Sequence, residues 1–154
     1  MLAITFSVGP MRFALPAAQV VQIVPRVPLH QVAGAVAELA GLLELANQIV
    51  PVVDLGQRLR GEPCADRLST RIIVANARHQ TDSDYRLGLI AENVTDLQNV
   101  EVDASIGVGE PGLEEAIGGI ARARGELLHW IDVSRILTSE ERSRVYRGIL
   151  ARHT

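Results

Sequence analysis

Two stretches of this chain repeat each other without a gap. "LAGLLELANQIVPVVDLGQRL" (39–59) lies over "IGGIARARGELLHWIDVSRIL" (117–137) at an offset of 78. Gly41 falls on Gly119, Leu42 on Ile120, Ile49 on Leu127, Val53 on Ile131, Asp54 on Asp132 and Leu59 on Leu137. Asn47 falls on Gly125, and both residue types tolerate the positive φ of a tight hairpin turn. A second pair lies upstream of each copy. "RFALPAAQVVQI" (12–23) lies over "RLGLIAENVTDL" (86–97) at an offset of 74, bringing Arg12, Leu15, Val20 and Ile23 onto Arg86, Leu89, Val94 and Leu97. Two segments in the same order at nearly the same offset describe one structural unit built twice.

Each unit reads as short strands. Ile4, Phe6 and Val8 alternate up to Gly9-Pro10, and Arg12-Phe13-Ala14-Leu15 returns, which predicts a hairpin. "STRIIVANA" and "DYRLGLIA" predict its counterpart, joined by the polar loop "RHQTDS". The β-branched runs "VVQIVPRV" and "IVPVV" favour strands as well. Pro16-Ala17-Ala18 predicts a short helical turn after the second strand. Many short strands with regular turn signals point to small barrels or a sandwich, not to a doubly wound sheet. Aromatic residues are only 3% of the chain while 47% is apolar, so Val, Ile, Leu and Ala must fill the core. With 154 residues there is room for one compact domain or two small subdomains sharing a core.

Asp54 and Asp132 each follow a strand and precede a short segment, "LGQRL" and "VSRIL". A carboxylate there caps a helix by accepting a backbone N–H of its first turn, and Asp54→Ser is expected to recover most of what Asp54→Ala loses. Beyond residue 138 the repeat ends. Thr138 stands three residues before Glu141, a capping-box spacing. Val145 and Ile149, with Tyr146 and Leu150, then form an apolar stripe at helical spacing, which predicts a helix packed on the body.

Catalytic readings fail on spacing. "GVGEPG" (107–112) matches G-x-G-x-x-G, but "LEEAI" is followed by Gly118-Gly119 and leaves barely one helical turn to receive a pyrophosphate. The histidines at 30, 79, 129 and 153 have no zinc-ligand spacing, so no metal is expected. His129 occupies a strand position matched by Pro51. Cys64 sits in "RGEPCADR" without a neighbouring histidine, and Asp82 and Asp84 lack the rest of a calcium loop. No cofactor is expected. A formal charge of −3 without a Lys/Arg cluster offers nothing to nucleic acid. A single cysteine fits a reducing compartment. The N-terminus does not read as a signal peptide, and no apolar run is long enough to insert in a membrane. A cytoplasmic protein is the expectation.

The same segments resemble the CheW family of chemotaxis coupling proteins. "FSVGPMRFALPAAQVVQIV" is similar to the family's opening hairpin and first long strand. "GLLELANQIVPVVDL" is similar to its G-x-x-N-L-R-G-x-x-x-P-V-x-D-L block. "RLGLIAENVTDL" resembles the G-x-x-V-D-x-V element, and "IGGIARARGELLHWIDVSRIL" the closing hairpin and helix. The early start at Met1 and "LSTRI" also resemble the Wsp-type surface-sensing branch. The resemblance implies a mainly β single domain over 1–154. Its two five-stranded SH3-like β-barrel subdomains pack together with strands from both halves of the chain, short helices and a C-terminal helix. It further implies a non-catalytic adaptor between a chemoreceptor cytoplasmic tip and the regulatory domain of a CheA-type histidine kinase, located at membrane-associated receptor arrays. By resemblance, Val20 and Ile23 fall on receptor-facing positions; their residue types alone fit barrel core equally well. Glu44-Leu45-Ala46-Asn47 stands where the family has Asn-Leu-Arg-Gly. Ala46 therefore replaces the arginine of the receptor contact, with Glu44 on what alternation makes the same strand face. Two other roles stay open: a CheV-like or array-building adaptor that binds kinase but not receptor, and a small-ligand module using the cleft between the barrels.

Overall fold

The computed structural model describes residues 1–31, 37–77, 85–95, 97–103 and 117–153. The loop "RHQTDS", His79, Asp82, Asp84 and the "GVGEPG" segment lie outside the described residues, as do the side chains of Ile149 and Leu150. The chain is mainly β. In the first half, β1 (Leu2–Val8) and β2 (Met11–Pro16) form a hairpin around Gly9-Pro10, a 3-10 turn follows at Ala17–Gln19, and β3 (Val20–Pro25) leaves it. β4 (Gly41–Leu45) and β5 (Gln48–Asp54) form a second hairpin that runs into α1 (Leu55–Arg60). The second half repeats the plan with β6 (Arg71–Ala77), β7 (Tyr85–Ala91), β8 (Leu97–Asn99), β9 (Glu101–Asp103), β10 (Ile117–Ala123) and β11 (Glu126–Ile131). A 3-10 turn at Val133–Arg135 and the helix α2 (Ser139–His153) close the chain.

The repeat is visible at the level of single hydrogen-bonded pairs. β5 runs parallel to β7 with Val52 opposite Gly88, and β11 runs parallel to β2 with Trp130 opposite Ala14. Those two pairs superpose on each other under the offsets of 78 and 74. The two tight turns match too: Ala46 and Asn47 have φ of 49° and 65°, Arg124 and Gly125 have 50° and 77°. Positive φ at both central residues is the type I′ requirement, whose twist suits a two-residue hairpin. Because β4 ends at Leu45, Ala46 belongs to this turn, and strand alternation does not carry it onto the face of Glu44.

Each unit is divided between the two sheets. One sheet has the order β8-β1-β2-β11-β10-β9, the other β3-β6-β7-β5-β4. The β1–β2 hairpin thus joins the later strands of the second unit, while β6–β7 joins the later strands of the first. β3 closes onto β6 just as β8 closes onto β1. One sheet has six strands where five are expected, and the reason is local. β9 pairs with β10 with Asp103 opposite Ile120, whereas the matching position in the other sheet keeps only the isolated bridge of His30 to Leu42.

Three apolar clusters follow from this exchange. The largest unites Ile4, Phe6, Phe13 and Ile131 of one sheet with Val53, Ile73, Leu87 and Leu89 of the other. Leu43, Val50, Val52, Ile72 and Val74 fill the other face of the five-stranded sheet, and Ala3, Ala14, Ala121, Ala123 and Leu128 that of the six-stranded sheet. Alternation along β1, β2, β4, β5, β6, β7 and β11 assigns one row to the shared cluster and the next to its own sheet. Glu92 ties the sheets at a polar point. Its backbone bridges Ser7, and its carboxylate accepts N–H bonds from Gly9 (2.7 Å) and Ala65 (2.9 Å).

Candidate functional site

The strand edges are where this fold can meet a partner, because an edge strand carries a row of backbone groups unused by its own sheet. β3 is one edge of the five-stranded sheet. A bulge between Val20 and Gln22 sets Val21 outside the regular pairing with β6, and Val21 is 39% exposed. Such a bulge re-aims side chains and bends the edge. Val20 and Ile23 are half-buried and pack on the shared cluster, so each combines a core contact with an accessible side. β8 is the matching edge of the six-stranded sheet, with exposed Leu97 directly opposite Ile4 of that same cluster.

Ala46 lies elsewhere. It is exposed in the β4–β5 turn, and β6 and β7 stand between β3 and that hairpin in the sheet order. The structure therefore brings Val20 and Ile23 together on one edge strand and leaves Ala46 in the β4–β5 turn. Asn47 and Gly125 occupy the second position of their turns. The accessible apolar residues Val21 and Leu97 escape a sequence reading because only the bulge and the edge position expose them.

The two aspartates both cap, in different surroundings. Asp54 accepts from Gln57 N at 3.2 Å and, through both oxygens, from Cys64 N at 3.0 and 3.2 Å. It is buried. Asp132 accepts from Ser134 N at 3.0 Å and from Ser134 Oγ at 2.6 Å, and stands 3.5 Å from Arg135. Asp54 thus holds down the segment after α1 as well as the helix start.

The remaining polar groups with shifted acidity are also structural. Burial, then the nearby charge of Asp54, pushes the Cys64 thiol up to about 12. Its Sγ donates to the Ile90 carbonyl at 3.4 Å, which makes it a buried thiol and not a nucleophile. Burial would raise the Glu92 carboxyl, yet the N–H groups of Gly9 and Ala65 and the charges of Arg67 and Arg60 hold it below the usual glutamate value. Glu141 is governed likewise: burial opposes ionisation, and the Thr138 N–H with the Arg58 guanidinium prevail. Thr138 and Glu141 form the reciprocal capping box at 3.1 and 2.9 Å.

A cleft of about 460 Å³ lies between α1 and the chain entering β4, bordered by Glu38, Leu39, Gln57 and Arg58. It is not the space between the two sheets. Its charges serve the fold, with Arg58 on Glu141 and Glu38 on Arg144. Among the described residues no group of three or more His, Cys, Asp or Glu could hold a metal, and no helix is long and apolar enough to cross a membrane.

Comparison with known proteins agrees with this architecture. The scaffolding protein TtCheW from Thermoanaerobacter tengcongensis superposes with a TM-score of 0.74 at 19% identity, covering 91% of this chain and 89% of that one. No curated protein sequence matches. The model of the CheW-like domain matches residues 2–141, nearly the whole length, and the chain belongs to the CheW-like domain family.

Proposed function

We propose that this protein is a non-catalytic adaptor that couples a chemoreceptor cytoplasmic tip to the regulatory domain of a CheA-type histidine kinase, in the cytoplasm at receptor arrays. The family match over residues 2–141 carries the reading. The surface is compatible with it: β3 presents Val21 beside half-buried Val20 and Ile23. Such an edge offers apolar area together with backbone groups, and a partner reading it would add contacts of both kinds. Glu92 is engaged in the inter-sheet tie, Glu141 in a cap and an ion pair, and Cys64 in a buried bond to the Ile90 carbonyl, which leaves adaptor work as the simpler role.

Calorimetry against kinase regulatory domain and receptor tip fragments tests the reading. Binding with a Kd on the order of micromolar is expected for each, and no heat at about 100 µM of the cognate kinase domain would remove it. Val20→Glu is expected to disrupt receptor binding. Raising salt from about 50 to about 500 mM should change affinity less than about threefold, since apolar burial is not screened. A second reading, an array-building or CheV-like adaptor that binds kinase without receptor, rests on Ala46. Its turn carries no guanidinium at the position where the family has arginine. Kinase binding with silent receptor titrations would select it.

A further inference from the structure

The internal repeat offers a comparison within one molecule: what covers a position in one sheet, and what stands at the same position in the other. At the hairpin end of the five-stranded sheet, α2 is seated on β5 and β7. Val145 enters the shared cluster, Tyr146 meets Tyr85 edge-on with ring centroids 5.0 Å apart, and the Tyr146 hydroxyl donates to the Arg86 carbonyl. The seat is apolar, with Tyr85 and Ile49 packed on that cluster. Its rim is acidic: Glu44 stands opposite Ile49 in the β4–β5 register, and Glu38 lies 3.0 Å from Arg144. The helix is basic there, carrying Arg142, Arg144 and Arg147.

The offsets of 74 and 78 carry Tyr85, Arg86 and Ile49 onto Met11, Arg12 and Leu127, and Glu44 onto Arg122. The strand pairings confirm the equivalence, for Arg122 stands opposite Leu127 as Glu44 stands opposite Ile49. No described helix occupies this second seat. Leu127 is 57% exposed and Met11 half-buried. The rim gains positive charge, with exposed Arg122 and Arg124 replacing Glu44 and Ala46, although exposed Glu101 of β9 stands opposite Arg122.

We propose that the Met11–Leu127 end of the six-stranded sheet is a docking seat for an acidic amphipathic helix of a partner protein. The apolar pair supplies buried area, as Tyr85 and Ile49 do for α2. Arg122 and Arg124 select carboxylates where the α2 seat accepts guanidinium groups. The added positive charge also argues against α2 of a second copy, whose arginines would face arginines. An aromatic residue on the incoming helix would find the Arg12 carbonyl where Tyr146 finds that of Arg86. This seat is separate from the β3 edge, and its test does not depend on the adaptor reading.

The probe is a synthetic helix with the sequence of residues 139–153 carrying Arg142→Glu, Arg144→Glu and Arg147→Glu; the unaltered sequence is the control. Amide shifts in a ¹⁵N-labelled full chain report where each binds. The expected result is saturable binding of the acidic helix below about 100 µM with shifts centred on Met11, Leu127 and Arg122. Leu127→Asp, a change at an exposed position, should weaken it by about tenfold or more, as loss of a central apolar anchor does. Arg122→Glu should transfer preference to the unaltered, basic helix, and Val20→Glu should leave both affinities unchanged. Absence of binding, shifts centred on Tyr85 and Ile49, equal binding of the two helices, or indifference to Leu127→Asp would each overturn the proposal.

Discussion

Arg58 of α1 and Glu141 of α2 form a two-point ion pair, with Nη1–Oε2 at 2.8 Å and Nη2–Oε1 at 2.6 Å. Arg58 Nε donates besides to the Ile136 carbonyl at 3.1 Å. One planar guanidinium thus joins the helix ending the first repeat to the chain leaving the second, and Glu141 at the same time closes the α2 capping box.

That double duty makes Glu141 sensitive. Glu141→Gln keeps an acceptor for Thr138 N but loses the charge on both Arg58 bonds, and is expected to cost about 1.5–3 kcal/mol, the worth of a hydrogen bond to a charged group. Urea unfolding of both proteins measures it. A difference below about 0.5 kcal/mol would mean that solvent screening leaves the pair with surface-like worth.

The two type I′ turns offer stabilising changes. Ala46 and Arg124 hold φ near 50° with a side chain present, a conformation that costs roughly 1–2 kcal/mol for a residue other than glycine. Ala46→Gly and Arg124→Gly should each raise stability by about 0.5–1 kcal/mol after the entropy of glycine in the unfolded chain is set against that strain. Their effects should add, because the turns belong to different sheets. Thermal melts of the single and double variants check both statements.

The caps should differ although their sequences match. Asp132→Ala is expected to cost about 1 kcal/mol, with Asp132→Ser recovering most of it. Asp54→Ala also leaves the buried Cys64 N–H without its acceptor, which adds about 1–3 kcal/mol. Serine at 54 supplies one oxygen and cannot serve both Gln57 and Cys64, so Asp54→Ser should not recover the loss. This prediction differs from the expectation from sequence that a hydroxyl would suffice. Equal recovery at both positions in denaturant titrations would contradict it.

Acid should open the inter-sheet tie. The Glu92 and Glu141 carboxyls are both held below the ordinary value of 4.5, so the unfolded chain binds more protons as pH falls to that value. Stability from these groups is complete above pH about 4.5 and is lost as pH falls through their lower folded values. Glu92→Gln should therefore lower stability at pH 7 and flatten its decline below pH about 4.5. An unaltered slope in unfolding measurements between pH 3 and 5 would assign the acid response to other groups.

Cys64 should be silent in the native state. With its thiol pushed up to about 12, alkylation at pH 8 is expected only after unfolding, and mass spectrometry of native and urea-treated protein distinguishes the two.

Much of this architecture is written locally. Turn residues, alternation and cap spacing act within a few positions, so the hairpins, both caps, the capping box and the duplication itself can be read from residues alone. Asn47 over Gly125 and Asp54 over Asp132 describe backbone requirements that the fold then meets. What local patterns do not contain is the choice of partner strand. Either unit could have closed on its own hairpin. Only the assembled molecule shows that β3 pairs with β6 and β8 with β1, because that choice is made by burying one shared apolar cluster between both copies. The same packing decides that Asp54 is buried beside Cys64 while Asp132 is not. It leaves Val21 and Leu97 on open edges and seats α2 on one half only. Sequence determines the unit; burial between the two copies determines which of its equivalent residues become core, tie or open surface.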